Sequence, residues 1–356
     1  MISKFYKNKK ILVTGATGFK GAWLCYWLTI LGAKVYGIGY NKNKDKNKNL
    51  FYILKLNKKI KLKYFDIRDK KKLKNFISSN KIQILFHLAA QPFLLESYKK
   101  PFLTYTVNTI GTLNVLEAVR KINSVKSLIC ITSYQCYENN NSKKAFKEKD
   151  RLGGKDPYSA SKASAEILIK SYQESFFKNK KCGIASGRAG NVIGGGDWGE
   201  DRLVPNTINS IIKKKIIYIR NPNFNRPWQH VLEPLHGYLI LAEKLFKKPE
   251  RYSGPWNFGT KKECVTSVLN VVKEIVKFLK NGVIKFKNKQ KYFEQKNFQL
   301  NINKSMKNLK WKPKYNVRKS VQITAEWYKK VLIEKLSAEK ITKKQINDYM
   351  NEFKKN

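Results

Sequence analysis

Short runs of β-branched and large apolar residues alternate with longer stretches of helical periodicity through the first half of the chain. The runs are 10–14 (KILVT), 34–40 (KVYGIGY), 60–65 (IKLKYF), 82–88 (IQILFHL), 126–132 (KSLICIT) and 181–187 (KCGIASG). Helix-length segments at 19–31, 69–79, 98–121 and 156–178 lie between them. Parallel strands need crossovers of this length, so the alternation predicts βαβ units and an α/β fold with a doubly wound parallel sheet. Residues 82–90 are apolar almost without a break, as expected of a strand covered on both faces. Near residue 190 the pattern changes. Glycine, proline and tryptophan gather in GNVIGGGDW (190–198) and RNPNFNRPW (220–228), which read as loops held on the scaffold. The chain thus divides into a first unit over 1–190 and a smaller, partly interleaved substrate-side unit over 191–334. A lysine-rich helical tail over 335–356 is expected to decorate the fold.

The 356 residues, 42% hydrophobic and 13% aromatic, suffice for a sizeable core. No run of about 18 apolar residues occurs, so no membrane partner is expected. The opening MISKFYKNKK carries neither an apolar signal core nor a small-residue cleavage site, and a cytoplasmic protein is expected. Cys25, Cys130, Cys136, Cys182 and Cys264 are scattered without CxxC spacing, which signals neither a disulfide framework nor a metal site. A net charge of +48 would ordinarily point to nucleic acid. Of the 73 basic residues, however, only nine are arginine, and the lysines run along the whole chain among asparagines, as in NKNKDKNKN at 41–49. Nucleic-acid readers concentrate arginine and aromatics on one element, so a solvated surface and no nucleic-acid partner are expected. The field would still draw an anionic ligand at low salt.

Thr14-Gly15-Ala16-Thr17-Gly18-Phe19-Lys20-Gly21 follows a predicted strand and opens a predicted helix. Glycines there allow a tight turn and close backbone approach to a pyrophosphate, and the helix N-terminus faces its charge. The G-x-x-G-x-x-G form points to a Rossmann-like unit binding NAD or NADP. A carboxylate at the end of the second strand would select NAD. Here the chain reads Gly39-Tyr40-Asn41 followed by Lys42 and Lys44, which makes no such choice. Asp66, just after the third strand, is placed to meet an adenine amino group, while Asp69 is the better helix cap.

Tyr158 and Lys162 stand four residues apart, on one face of a predicted helix. A neighbouring ammonium lowers a phenol's pKa and makes it a usable base. Thr132, at the end of the fifth strand, is expected to share a hydrogen bond with the substrate hydroxyl.

With these motifs the chain resembles the extended short-chain dehydrogenases, and among them it is most similar to the CDP-glucose 4,6-dehydratases. The likeness runs through TGATGFKGAWL (14–24), FHLAAQP (86–92), SYKKP (97–101), CYEN (136–139), LGGKDPYSASKASAE (152–166), RAGNVIGGGDW (188–198), DRL (201–203) and RPWQHVLEPLHGYL (226–239). It implies a bound NAD held by Gly15, Thr17, Gly18, Phe19, Gly21, Asp66, Ile67, Ala89, Gln91, Asn108 and Lys162. It also implies oxidation of a nucleotide-linked sugar at C4, loss of water across C5 and C6, and return of the hydride to C6. Asn191, Arg202 and Arg226 fall where the family contacts the sugar diphosphate, and a homodimer through 98–121 and 156–178 is implied. One departure stands out. Where the family reads TSDKCYEN, this chain reads TSYQCYEN, so Tyr134 and Gln135 replace the Asp-Lys pair that serves the elimination. Gln135 has no basic lone pair to offer, and a phenol near pKa 10 is a weak acid. C4 oxidation without dehydration, as in a nucleotide-sugar 4-epimerase, is the rival reading, and a binding protein without turnover is a second. Trp228 is read either as a wall for the base or as core, and His87, His230 and His236 as structural.

Overall fold

A computed structural model describes residues 2–40, 45–140, 144–178, 180–199, 201–261, 264–287 and 292–353. Its central sheet has seven strands: β1 (Lys10–Thr14), β2 (Lys34–Gly39), β3 (Lys61–Tyr64), β4 (Ile84–His87), β5 (Ser127–Ile131), β6 (Gly183–Ala189) and β7 (Gly254–Phe258). All neighbours pair parallel, in the order β7-β6-β5-β4-β1-β2-β3. Alternate side chains enter two cores. Ile11, Val13, Ile84, Phe86, Ile129 and Ile131 face one, and Leu12, Leu85, Leu128 and Cys130 face the other. This is why these strands read as continuous apolar runs rather than alternating ones.

Helices cover both faces. On one lie α1 (Phe19–Ile30) and, from later in the chain, α6 (Leu232–Lys247); on the other lie α2 (Lys70–Ser79), α3 (Gly111–Arg120) and the end of α4 (Pro157–Tyr172). Asp69 caps α2 as expected, accepting from the Lys72 amide at 2.9 Å. The order reverses between β1 and β4, and crevices at the carboxyl ends of such a switch point are where doubly wound sheets bind ligands.

Three features differ from the sequence reading. The segment 98–121 is not one helix: Leu94–Lys99 stops before Pro101, a new turn runs Pro101–Tyr105, and a π-helical turn Thr106–Ile110 leads into α3. Proline's missing amide and its ring break the first helix. Secondly, β7 comes from beyond residue 190 and completes the main sheet against β6. Thirdly, the tail is core rather than decoration. Besides α5 (Leu203–Ile212), α7 (Val268–Leu279) and α8 (Val317–Tyr328), a last helix α9 (Ala338–Asn351) fully buries Ile346 and Tyr349. Tyr349 donates to Glu233 Oε2 at 2.7 Å and packs edge-on against Trp27, and Trp327 Nε1 donates to Thr342 at 2.9 Å. Among the described residues no helix is long and apolar enough to cross a membrane.

Candidate active site

The turn after β1 is shaped by its glycines. Gly15 has φ +70°, and a Cβ there would sit 2.8 Å from the Ala89 nitrogen. A Cβ at Gly21 would lie 2.1 Å from the Gly15 carbonyl oxygen, and Gly18 begins α1 with no capping side chain. The result is backbone packed on backbone beneath a bare helix N-terminus, which fits a dinucleotide pyrophosphate. Thr17 and Phe19 flank this turn, against Gly39 and Gly194 respectively. Behind it, Thr14 Oγ1 bonds His87 Nδ1 at 2.7 Å and receives the Ala89 amide at 3.2 Å. Burial, helped by the charge of Lys162, lowers the His87 pKa to about 3, so it stays a neutral strut. The Asn108 side chain clasps the Gln91 backbone: Gln91 N donates to Asn108 Oδ1 at 2.8 Å, and Asn108 Nδ2 donates to Gln91 O at 3.1 Å. Asn108 sits in the π-helical turn, a kind of distortion that gathers at functional sites.

Asp66, expected to meet an adenine amino group, is held by Arg68. Arg68 Nη2 donates to its Oδ2 at 2.6 Å and the Arg68 amide to its Oδ1 at 2.8 Å. Burial pushes its pKa up, but the Arg68 bonds and charge win and hold it below the usual range. Ile67 is buried, and a Cβ on Gly111 would reach it at 2.5 Å, so that glycine lets α3 close on the loop. Asn41, Lys42 and Lys44, which bear on the choice of NAD or NADP, lie outside the described residues.

The hydroxyl that meets the Tyr158 phenol is one residue away from where the sequence put it. Thr132 is turned inward and donates to Glu166 Oε1. Ser133 instead bonds the Tyr158 phenol, and it also receives the Gln135 amide at 3.1 Å. The expectation for Thr132 is therefore corrected: past the end of β5 successive side chains point to opposite sides, and a buried carboxylate claims the first of two adjacent hydroxyls. That carboxylate also accepts from Ser186 at 2.8 Å and from Arg188 at 2.6 Å, with Glu166 and Arg188 both 3% exposed. Arg188 goes on to Tyr137 at 2.8 Å, and Tyr137 to Asn257 at 2.7 Å, forming a polar floor under the site.

Tyr158 and Lys162 share one face of α4, which starts sharply because Asp156 and Ser159 form a capping box ahead of Pro157. Lys162 Nζ lies 3.4 Å from the Ile131 carbonyl oxygen. Burial lowers its pKa to about 8, with Glu166 opposing. Burial also raises the Tyr158 phenol above its ordinary value; the forces opposing this are the Ser133 bond and the charge of Arg202 rather than Lys162.

Tyr134 and Gln135 open the short helical turn after Ser133. The Tyr134 ring packs edge-on against Phe298 at 4.5 Å, and its hydroxyl donates to Asn191 Oδ1 at 2.5 Å. Burial raises its pKa to about 12 despite the charge of Arg226, so the phenol keeps its proton at any working pH.

These groups open on one cavity of about 680 Å³ lined by Ser133, Tyr134, Tyr158, Asn191, Arg202 and Arg226 among others. Arg202 Nη1 donates to Asp197 at 2.9 Å, and Arg226 Nη2 to Glu294 at 2.8 Å, so each guanidinium is aimed by a carboxylate. Trp228 is core and also lines the cavity: it is 5% exposed and its indole N–H donates to the Thr266 carbonyl at 3.3 Å. His230 and His236 are buried and kept neutral by burial, with pKa values near 3. Two groups were not singled out from the sequence. Ser133 was hidden beside a second hydroxyl, whereas Lys20 carried a legible signal: a cation in the first turn of a helix, where the dipole disfavours it.

The model of the family described as GDP-mannose 4,6 dehydratase matches residues 12–324. A CDP-glucose 4,6-dehydratase of Salmonella typhimurium is 38% identical over 358 residues, covering 99% of each chain. Among solved structures, the epimerase Mth375 of Methanothermobacter thermautotrophicus superposes with a TM-score of 0.81 at 21% identity, over 94% of this chain and 96% of its own. A dTDP-glucose 4,6-dehydratase of Bacillus anthracis, solved with NAD, gives a TM-score of 0.75 at 22% identity, over 90% of this chain and 97% of its own. With a parallel sheet, a glycine turn at its switch point and the Ser133-Tyr158-Lys162 cluster already in hand, the chain belongs to the GDP-mannose 4,6 dehydratase family.

Proposed function

We propose that the chain is a nucleotide-sugar 4,6-dehydratase that converts CDP-glucose to CDP-4-keto-6-deoxyglucose. The observation that carries this reading is the convergence of Ser133, Tyr158, Tyr134 and Asn191 on one cavity beside the glycine turn. The 38% identity to the Salmonella CDP-glucose 4,6-dehydratase over both whole chains supports the choice of sugar nucleotide.

Gly15, Thr17, Gly18, Phe19 and Gly21 would hold the cofactor pyrophosphate, with Asp66, Ile67, Ala89, Gln91, Asn108 and Lys162 around the rest. Bound there, NAD would supply an acceptor for hydride from C4 and return it at C6; the NAD in the Bacillus anthracis relative supports that cofactor over NADP. Ser133 orients the C4 hydroxyl toward Tyr158, which takes its proton as a base. For this the phenol must fall from its raised value, and Arg202 and Ser133 are the groups that pull it down. The resulting C4 ketone acidifies the C5 proton. Tyr134, a phenol that stays protonated and is held in place by donating to Asn191 Oδ1, then turns that proton to the departing C6 hydroxyl. Arg202 and Arg226 bind the diphosphate.

Residues 1–190 carry the cofactor and 191–334 most of the substrate wall. The buried free thiols of Cys25, Cys130, Cys136 and Cys182 suit a reducing cytoplasm. A homodimer through the helices before α3 and through α4 is supported by exposed Phe102, Ile110 and Ile167. The product is an activated deoxysugar of the kind polysaccharide assembly consumes.

The test is incubation of purified protein with CDP-glucose, following the product's enone absorbance in alkali. Conversion to CDP-galactose with no such absorbance would replace dehydration by 4-epimerisation, the reading favoured by Tyr134 and Gln135 standing where the family has Asp and Lys. No conversion, with CDP-glucose still raising the melting temperature, would leave a binding protein.

A further inference from the structure

Dehydration needs a base at C5 as well as an acid at C6, and neither Tyr134 nor Gln135 is one. Three carboxylates line the cavity, and each faces an arginine: Asp197 faces Arg202 at 2.9 Å, Glu294 faces Arg226 at 2.8 Å and Asp201 faces Arg220 at 3.7 Å. A carboxylate so paired is a weak base. Lys213, Lys215 and Lys287 also line the cavity but stand exposed to solvent. The amine set back from solvent in the same cavity is Lys20, the second residue of α1.

Most of what surrounds Lys20 works against its charge. It sits in the first turn of a helix, at the positive end of the dipole. Lys162 and Arg202 add their charges, and the one anion that offsets them, Asp197, already holds Arg202 Nη1 at 2.9 Å and the Gly199 amide at 3.0 Å. Burial first, then Lys162 and Arg202, bring its pKa to about 7. A lysine used only to hold an anion is better placed where it stays protonated; one that is neutral half the time is suited to taking a proton.

We propose that Lys20 is the base that takes the C5 proton in the elimination, with Tyr134 the acid at C6. The assignment rests on the dehydratase reading above. The neutral Lys20 amine takes the C5 proton and becomes an ammonium. The electron pair of the C5–H bond becomes the C5–C6 double bond as the C6–O bond breaks. The leaving oxygen takes the Tyr134 phenol proton and departs as water. When C6 is reduced, the Lys20 ammonium returns a proton to C5, and Tyr134 recovers its own from solvent. No outside oxidant or reductant is consumed.

The test compares Lys20→Met and Lys20→Arg with the unaltered holoenzyme on CDP-glucose. Both variants lack a base at neutral pH, but the arginine keeps the charge. Formation of the 4-keto-6-deoxy product should fall at least about 100-fold in both. The sugar-dependent absorbance of reduced nicotinamide, which reports C4 oxidation and a folded site, should stay within about threefold. In the unaltered enzyme the elimination rate should fall below about pH 7, where Lys20 takes up its proton, and that limb should vanish in the variants. Product formation within threefold of normal in either variant overturns the assignment, and rescue by Lys20→Arg would mark a role of charge alone. If the unaltered protein makes no 4-keto-6-deoxy product, the dehydratase reading itself fails, and Lys20 with it.

Discussion

Thr132 and Ser133 differ by one oxygen direction, and that direction separates stability from chemistry. Replacing Ser133 with Ala removes the partner of the Tyr158 phenol, so kcat should fall about 100-fold with the unfolding midpoint nearly unchanged. Replacing Thr132 with Val takes one donor from the buried Glu166 carboxylate, which should cost about 1–3 kcal/mol of stability with a far smaller effect on kcat. Urea unfolding and steady-state rates on both variants measure the two effects, and equal losses of kcat would refute the distinction. The sequence contains both hydroxyls at the strand end, and nothing local says which turns inward. Glu166, which decides it, lies 34 residues away along the chain. Tyr158, Lys162 and the glycine turn were legible because their spacing alone puts them on one face or one turn. Asp66 was legible as a loop carboxylate, but its capture by Arg68 depends on side-chain geometry that no spacing rule carries.

At the level of elements, the first six strands were readable because burial on both faces leaves an unbroken apolar run. β7 escaped because Gly254-Pro255-Trp256-Asn257 carries turn residues, and an edge strand paired only to β6 tolerates a proline whose nitrogen has no partner to serve. The helix at 98–121 was overextended across Pro101, whose effect is local and could have been foreseen. α6 and α9 meet at a group with a testable titration. Burial raises the Glu233 pKa to about 7, against the bonds it receives from Tyr349 and the Lys314 and Tyr315 amides. Because the folded value lies above the unfolded one, near 4.5, its contribution to stability is present below about pH 4.5 and is lost as pH rises through 7. Relative to Glu233→Gln, the unaltered protein should therefore lose melting temperature between pH 5 and pH 8. A constant difference across that range would show a carboxylate that is charged throughout.

For the molecule as a whole, a net charge of +48 opposes self-association except where a surface is uncharged and apolar. Phe102 at 80% exposure, Ile167 at 58% and Ile110 at 45% mark such a surface on the helices before α3 and on α4. Sedimentation should give a dimer for the unaltered chain and a monomer for Phe102→Asp combined with Ile167→Asp; a monomeric unaltered chain would refute the dimer. The polar floor of Glu166 and Arg188 sits beneath the site in each copy, and the seven-stranded sheet holds it in place. The burial of α9 has a consequence for how the protein is made. Glu233 leaves the ribosome 116 residues before Tyr349, its hydroxyl partner. At about 5–20 residues per second that is a delay of roughly 6–23 s, during which α6 and Trp27 stand uncovered and open to chaperones.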